Sequence, residues 1–311
     1  MENTQYTALG KAMKKSGHKD GSLLNRRTGK QRAVFTVVFV ILMIYAVSLI
    51  LPSLWMVVNS FKKITEYDID IMMSDTLRFP DKWMISNYWE VFPRIVYNGV
   101  KFPSMLLNSF YYIIVEGVLQ MLFVSATGYV LSKYKFKARG VIYSIAIFAM
   151  TIPVMGNMAA GLKLRADLGL YDNLAAPFFT AGAGAWGFEF LMTYAFFKAV
   201  SWDYAEAVFI DGGGHFTVFF RIMLPMATPI LTTLFILRSI GGWNDYMTPL
   251  LYFPSYPNIA TGLYGASEAL KRGAMSQYYA ALVLTTLPVL VLFVAFADKI
   301  MKNYTIGGLK G

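Results

Sequence analysis

The run Ala33-Val-Phe-Thr-Val-Val-Phe-Val-Ile-Leu-Met-Ile-Tyr-Ala-Val-Ser-Leu-Ile-Leu-Pro-Ser-Leu-Trp-Met-Val-Val58 decides the class of this protein, because it holds no charged residue. A helix rises about 1.5 Å per residue, so about 20 mainly apolar residues cross a hydrocarbon core about 30 Å thick. Five more runs of this kind follow. They are Pro103–Ser132, interrupted only by Glu116; Val141–Leu162, uncharged, with Pro153 and Gly156; and Asn173–Phe197, with Glu189 as its one acid. The last two are Met226–Phe253, carrying Arg238 and Asp245, and the uncharged Ala274–Ala297. The expectation is an all-α integral membrane protein with six transmembrane helices over residues 33–301.

Composition agrees. Hydrophobic residues make up 56% and charged residues 15% of the 311, where soluble domains carry about 25% charged residues. Disorder, collagen, coiled coil and an ordinary soluble enzyme are excluded on these figures. The absence of Cys removes a disulfide-stapled module, thiolate nucleophiles and Cys-ligated metal sites, and says nothing about compartment. No signal peptide is expected, because the first apolar run is too long for one and ends without a small-residue cleavage site.

The net charge of +10 is concentrated in an N-terminal arm, residues 1–32, where Lys11, Lys14, Lys15, Lys19, Arg26, Arg27, Lys30 and Arg32 face only Glu2 and Asp20. No aromatic stacking pattern or zinc spacing accompanies them, so no nucleic acid is expected as a partner. Cytoplasmic segments of membrane proteins collect Lys and Arg. The arm, the loop Lys133, Lys135, Lys137, Arg139 and the tail with Lys299, Lys302 and Lys310 fall on one side when helices alternate. Residues 62–102 fall on the other, with Glu66, Asp68, Asp70, Asp75, Asp81 and Glu90. Both termini, including the tail 302–311, are therefore expected in the cytoplasm. The 62–102 loop has room for a short external helix or two, with Trp83, Tyr88 and Trp89 at the membrane interface.

Between the fourth and fifth runs, residues 201–225 read as a helix, a glycine turn and a second helix. Ser201 caps a helix start and Asp203 suits its positive end. Trp202, Ala205 and Phe209 fall on one face. Gly212-Gly213-Gly214 stops the helix, since glycine tolerates positive φ. Phe216, Phe219, Phe220 and Met223 then mark a second amphipathic segment before Pro225. Too small for a domain, this is the size of a knob that another protein grips at the membrane surface.

Glu206-Ala207, Gly212 six residues after the Glu, and Ile222-Met223-Leu224-Pro225 resemble the EAA loop of ABC importer permeases. The fuller run from Glu206 through Asp211-Gly212 to Leu224-Pro225 is similar to the carbohydrate-uptake, MalG-like, binding-protein-dependent branch. Asn59-Ser60-Phe61-Lys62, Asn87-Tyr88, Asn108-Ser109, Tyr129, Trp243-Asn244-Asp245 and the terminal Gly307-Gly308-Leu309-Lys310-Gly311 extend the resemblance. The family usually has Ala where Val208 stands, and Ala then Ser at Gly213 and Gly214. The first change is expected to be mild and the second to loosen the turn.

The resemblance implies a transport subunit of a bacterial-type cytoplasmic membrane, without catalytic residues of its own. Its EAA loop would dock on a separate ATPase, with Glu206, Ala207, Asp211, Gly212, Leu224 and Pro225 as the coupling residues. Two ATPase subunits holding ATP and Mg, a second homologous permease, and an extracytoplasmic solute-binding protein would complete an importer for a sugar, in the first instance an oligosaccharide or glycoside. The chain lacks G-x-x-x-x-G-K-[ST], and its glycine turn has neither the Lys nor a preceding strand, so ATP is not expected here.

Ionisable groups inside spans are costly and are functional candidates by default. Tyr112, Glu116 and Gln120 stand one helical turn apart; they line a pathway for sugar hydroxyls or bond to a neighbouring helix. Trp243, Asn244, Asp245 and Tyr246 either line the pathway or cap a helix break near Gly241-Gly242. Arg238 reads as a structural ion-pair partner; Glu189 is that partner or lies near the cytoplasmic exit. His18 lies in the arm, and His215 reads as a packing or hydrogen-bonding group after the glycine turn. With no acid-His cluster, no metal site is expected. The rival readings are an ion-coupled secondary transporter using Glu116, Glu189 or Asp245 as proton carriers, and an intramembrane enzyme, for which no nucleophile-base or metal constellation exists in the sequence.

Overall fold

The computed structural model describes residues 29–75, 77–151, 158–182, 186–270 and 273–304. Most of the basic arm with His18, the pair Pro153 and Gly156, and Gly307–Gly311 lie outside the described residues. The chain divides into two compact units, Met1–Met56 and Val57–Gly311. The described part of the first is the body of helix α1 (Gly29–Ser60), which carries Pro52 in its interior.

The second unit opens with the last turn of α1 and a polar cap. Helices α2 (Ile64–Met72) and α3 (Ser86–Arg94) precede a hairpin of β1 (Val96–Tyr97) and β2 (Val100–Lys101), antiparallel with Val96 opposite Lys101. Its turn is Asn98-Gly99, with φ of 50° and 79°. Two successive positive φ values make the mirror-image turn that matches strand twist, and Asn-Gly is the pair that best tolerates them. The chain leaves α1 through Lys62, which is fully buried and ion-paired with Asp70 at 2.7 Å. Asn87 ties α3 to the same point, its amide donating to the carbonyls of Ser60 and Lys62 at 2.8 and 2.9 Å. Trp83 and Trp89 are exposed, whereas Tyr88 turns inward and bonds Ser60 through its hydroxyl.

Helix α4 (Phe102–Lys133) is continuous, but Tyr112–Glu116 form a wider, π-helical turn. Of the third apolar run, the described residues belong to helices α5 (Arg139–Thr151) and α6 (Met158–Asp167). The fourth run is not one helix: it holds α7 (Ala176–Thr180) and α8 (Phe188–Ala199), with Gly187 in extended backbone before α8. Gly187 costs about 1 kcal/mol against alanine inside a helix, and its backbone leaves the helical region just before α8. Helix α9 (Asp203–Ile210) leads to α10 (His215–Asn244), then α11 (Met247–Tyr252), α12 (Ile259–Leu270) and α13 (Met275–Tyr304). The fifth span is thus displaced from 226–253 to His215–Asn244: the second amphipathic segment is its first turns, and Asn244 ends it. Helix α12 was not anticipated; its Gly262 and Gly265 lie against Met105 and Tyr97, where an added Cβ would sit 1.9 and 2.0 Å from their side chains.

Four helices, α1, α4, α10 and α13, are long and apolar enough to cross a membrane among the described residues. In the second unit α4 and α8 pack most closely. Gly128 is the reason: a Cβ there would meet Thr193 Oγ1 at 2.6 Å and the Tyr194 backbone nitrogen at 3.0 Å. The ends of α4 and α8 and the start of α10 gather at one end, around Tyr129, Phe197, Ala205, Val218 and Met223. The opposite end gathers α3, β1, the start of α4, α12 and the start of α13, around Val91, Phe102, Met105, Ile259 and Ala280.

Candidate functional site

Two features carry the polar residues of the spans and of the 201–225 loop. The first is a cavity of about 420 Å³ walled by α4, α8, α10 and α11. The π-helical turn of α4 supplies Tyr112, Ile113 and Glu116; α8 supplies Glu189 from its first turn; the last turns of α10 supply Arg238, Ser239, Gly241 and Gly242. Asp245, Thr248, Phe253 and Asn258 close it.

Arg238 donates to Glu116 Oε1 at 2.8 Å across the cavity, so the ion-pair partner is Glu116 and not Glu189. Both side chains stay about one third exposed, 30% and 38%, so the pair is wet on the cavity side. Asp245 Oδ1 accepts from the backbone N–H groups of Met247 and Thr248, each at 3.0 Å. That caps α11 and accounts for the break after Asn244. Asp245 therefore both caps and lines; Gly241 and Gly242 lie within α10 and are not the break. Asn258 is held from both ends, donating to the Asp245 carbonyl and accepting from Thr261 N–H. Tyr112 donates to the Tyr256 carbonyl at 2.8 Å, and its ring lies 5.3 Å from that of Phe253.

The predicted stripe of Tyr112, Glu116 and Gln120 is divided: the first two line the cavity, and Gln120 is buried elsewhere. A wide turn adds about one residue to the α-helical repeat, which rotates all that follows by about 100°. The buried positions record it, stepping five residues from Tyr112 to Gly117 where the α spacing is three or four. The Trp243–Tyr246 group divides likewise. Trp243 is buried, its indole N–H donating to the Thr285 carbonyl at 3.0 Å, and with Asn244 it borders a separate cavity of about 360 Å³ beside α12 and α13. Tyr246 stacks on Tyr264 with ring centroids 4.5 Å apart.

The second feature is the 201–225 loop. Ser201 Oγ accepts from Asp203 N–H at 3.2 Å at the entry to α9. The helix ends in a Schellman turn: Gly212, at φ +78°, donates to the Phe209 carbonyl at 3.1 Å, and Gly213 to that of Val208 at 2.8 Å. Of the helix, Ala205 is fully buried and Trp202, Val208 and Phe209 half-buried, while Glu206, Ala207 and Asp211 are exposed. The apolar tip is bare, with Ile210 86% and Phe216 82% exposed. Phe216 and Phe220 thus part from Phe219 and Met223, because Val218–Met223 form a second π-helical turn. Leu224 and Pro225 follow it inside α10.

An aromatic chain fastens α9 to α4. Tyr134, just past the end of α4, packs on Tyr129, Trp202 and His215 at 5.5, 5.7 and 5.5 Å. Its hydroxyl pairs with His215 Nδ1 at 2.9 Å, and the His215 ring packs on Phe209 at 5.0 Å. Lys133 donates to the Val200 carbonyl. Sequence reasoning missed Tyr134. Its signal was an aromatic pair, Tyr134 and Phe136, alternating with the basic residues of the 133–139 loop.

Residues 124–304 match the family described as "Binding-protein-dependent transport system inner membrane component". A diacetylchitobiose uptake system permease protein, NgcG of Streptomyces coelicolor, is 28% identical over 86% of this chain and 86% of its own. The arabinooligosaccharides transport system permease protein AraQ of Bacillus subtilis is 29% identical over 68% of this chain and 73% of its own. A chain from the crystal structure of a bacterial ABC transporter, described as involved in the import of the acidic polysaccharide alginate, shares the fold with a TM-score of 0.73 at 21% identity, over 88% of this chain and 98% of that one.

Proposed function

Since this chain belongs to the binding-protein-dependent inner-membrane permease family, among the permease subunits of sugar ABC transporters, we propose that it carries an oligosaccharide or glycoside into the cytoplasm, driven by ATP hydrolysis on a separate subunit. In this reading α5 with α6 and α7 with α8 complete six spans, both termini are cytoplasmic, and residues 1–32 and 302–311 flank a permease domain as arm and tail. The membrane location itself is multi-pass, with several long apolar helices. Family members work with a binding protein and an ATPase; the proposed assembly adds a second, distinct permease and two ATPases holding ATP and Mg.

The observation that carries the reading is the mounting of α9. Glu206, Ala207 and Asp211 stand exposed beside a bare apolar tip, while the opposite face is tied through Trp202, Phe209 and His215 to Tyr134 at the foot of α4. A helix exposed on one side and fastened on the other transmits a push as a rigid body. Gly212 and Gly213 set its end, and Leu224 and Pro225 begin the regular part of α10. The push would reach α10 and α4 together, and with them the cavity at Glu116 and Arg238.

Co-purification with neighbouring gene products, reconstitution and an ATPase assay with sugar-loaded binding protein test it. The expected result is hydrolysis stimulated by one sugar and sugar uptake into ATP-filled proteoliposomes. Glu206→Ala and Gly212→Pro should abolish uptake while hydrolysis persists, since proline has no N–H for the Phe209 carbonyl and cannot reach φ +78°. Normal ATP-driven uptake by both variants would refute the coupling role. A chain that purifies alone and transports on an ion gradient without ATP would replace this reading with a secondary transporter.

A further inference from the structure

The cavity between α4, α8 and α10 offers an unequal set of hydrogen-bonding groups. Its lining holds three carboxylates, Glu116, Glu189 and Asp245, and one cationic side chain, Arg238. Arg238 is already committed to Glu116 at 2.8 Å. The other donors are mostly spent: the Tyr112 hydroxyl, the Ser239 hydroxyl and the Asn258 amide each donate to a backbone carbonyl at 2.7–2.8 Å. Acceptors remain. Asp245 uses Oδ1 for backbone N–H groups and keeps Oδ2, and the Glu189 carboxylate has no hydrogen-bond or ion-pair partner among the described residues. The carboxylates do not converge as a metal site: no group of three His, Cys, Asp or Glu among the described residues is placed to hold an ion. They are spread over an otherwise aromatic and glycine-lined wall.

We propose that this cavity selects its ligand by charge, admitting uncharged or amino-bearing glycosides and turning away sugars that carry a carboxylate or sulfonate, with Glu189 setting the preference. Hydroxyl and ammonium groups donate to the vacant acceptors. An anionic sugar would bring further acceptors and like charge against three carboxylates whose one cation, Arg238, is already paired. Clefts lined by one sign of charge change local ion concentrations by about tenfold or more. As a statement about substrate class, the proposal rests on the sugar-permease reading; as a statement about the cavity, it does not.

The absence of Cys allows a direct test. Gly241 lines the cavity, and a Cβ there meets nothing within 4 Å, so Gly241→Cys is tolerated; Thr248→Cys offers a second position on the same wall. Each variant, assembled with its co-expressed partners in de-energised membranes, is treated with a cationic trimethylammonium-ethyl and an anionic sulfonatoethyl methanethiosulfonate. The rate ratio is divided by that for a simple thiol in solution. Both reagents attack the same thiolate, so a local shift of the thiol's ionisation cancels.

The expected result is a cationic preference of about tenfold or more, falling severalfold with Glu189→Gln. A normalised ratio near one, an anionic preference, a ratio unmoved by Glu189→Gln, or no reaction at either position would overturn the proposal. The labelling needs no transport. If it holds while no sugar stimulates hydrolysis, the sugar-import reading fails and the charge selection stands; the converse outcome separates them the other way.

Discussion

Gly213→Ala places a methyl group where the end of α9 has no room, and Val208→Ala should make that room again. The new Cβ would lie 2.5 Å from Val208 Cγ1 and 3.0 Å from the Val208 carbonyl oxygen. Carbon atoms rest at about 3.5–4.0 Å, so the overlap with Cγ1 is about 1 Å. Val208 cannot swing away cheaply, because a helical valine holds one rotamer about 90% of the time. The carbonyl cannot retreat without lengthening the 2.8 Å bond it accepts from Gly213. Overpacking of this kind costs about 1–3 kcal/mol. If the seated turn is the state that transmits motion, that cost weakens coupling by about 5- to 150-fold. The assay is sugar taken up per ATP hydrolysed in proteoliposomes, alongside thermal unfolding of the membrane complex. Gly213→Ala should lower the ratio and lower the unfolding temperature only a little, since the short turn can open by itself while the membrane helices stay packed. Val208→Ala/Gly213→Ala should recover most of the loss. A wild-type ratio for the single variant, or a double variant as impaired as the single one, would refute the reasoning. Val208 and Gly213 are then a matched pair, the larger side chain fitting because its neighbour has none.

Tyr134→Phe removes the hydroxyl paired with His215 Nδ1 at 2.9 Å and keeps the ring contacts, a change of about 0.5–1.5 kcal/mol; uptake per ATP should fall modestly, and much further with Tyr134→Ala. Equal effects of the two would show that the hydrogen bond, and not the aromatic packing, seats α9. Lys62→Met strands Asp70 inside the polar cap, since the 2.7 Å pair is buried and Arg78 stands 3.8 Å away on its exposed side. A loss of about 3–5 kcal/mol is expected, read as a lower unfolding temperature, and Lys62→Met/Asp70→Leu should regain much of it. Gly128→Ala should wedge α8 off α4 at about 1–3 kcal/mol, visible as a lower yield of assembled complex; full yield would mean that the helices slide past the new methyl group.

Much of the architecture was legible because its signals are local. An uncharged run such as Ala33–Val58 needs only length and hydropathy to be read, and the helices α1, α4, α10 and α13 follow from it. The two short helices before the hairpin fell where the loop had room for them, and the end of α9 fell at the glycine that takes φ +78°. The hairpin was missed, although Asn98-Gly99 is the pair that announces such a turn. His215 took the hydrogen-bonding and packing role expected of it.

The membership of the cavity was not legible, and the reason is geometric. An α-helical wheel assumes a constant repeat, and the wide turns at Tyr112–Glu116 and Val218–Met223 break that assumption without a glycine or proline inside them to announce it. After each one, residues exchange faces, so Gln120 leaves the cavity and Phe216 parts from Phe219. The choice between Glu116 and Glu189 as partner of Arg238 depends on which helix stands across from α10, and nothing local to Arg238 records it. Hydropathy along the chain is a property of each residue and its neighbours, so the sequence by itself determines that the chain is a multi-pass membrane protein and marks its longest apolar helices. Which acid meets which base, and which polar side chain finds a cavity, depends on helix rotation and packing, and only the tertiary structure decides those.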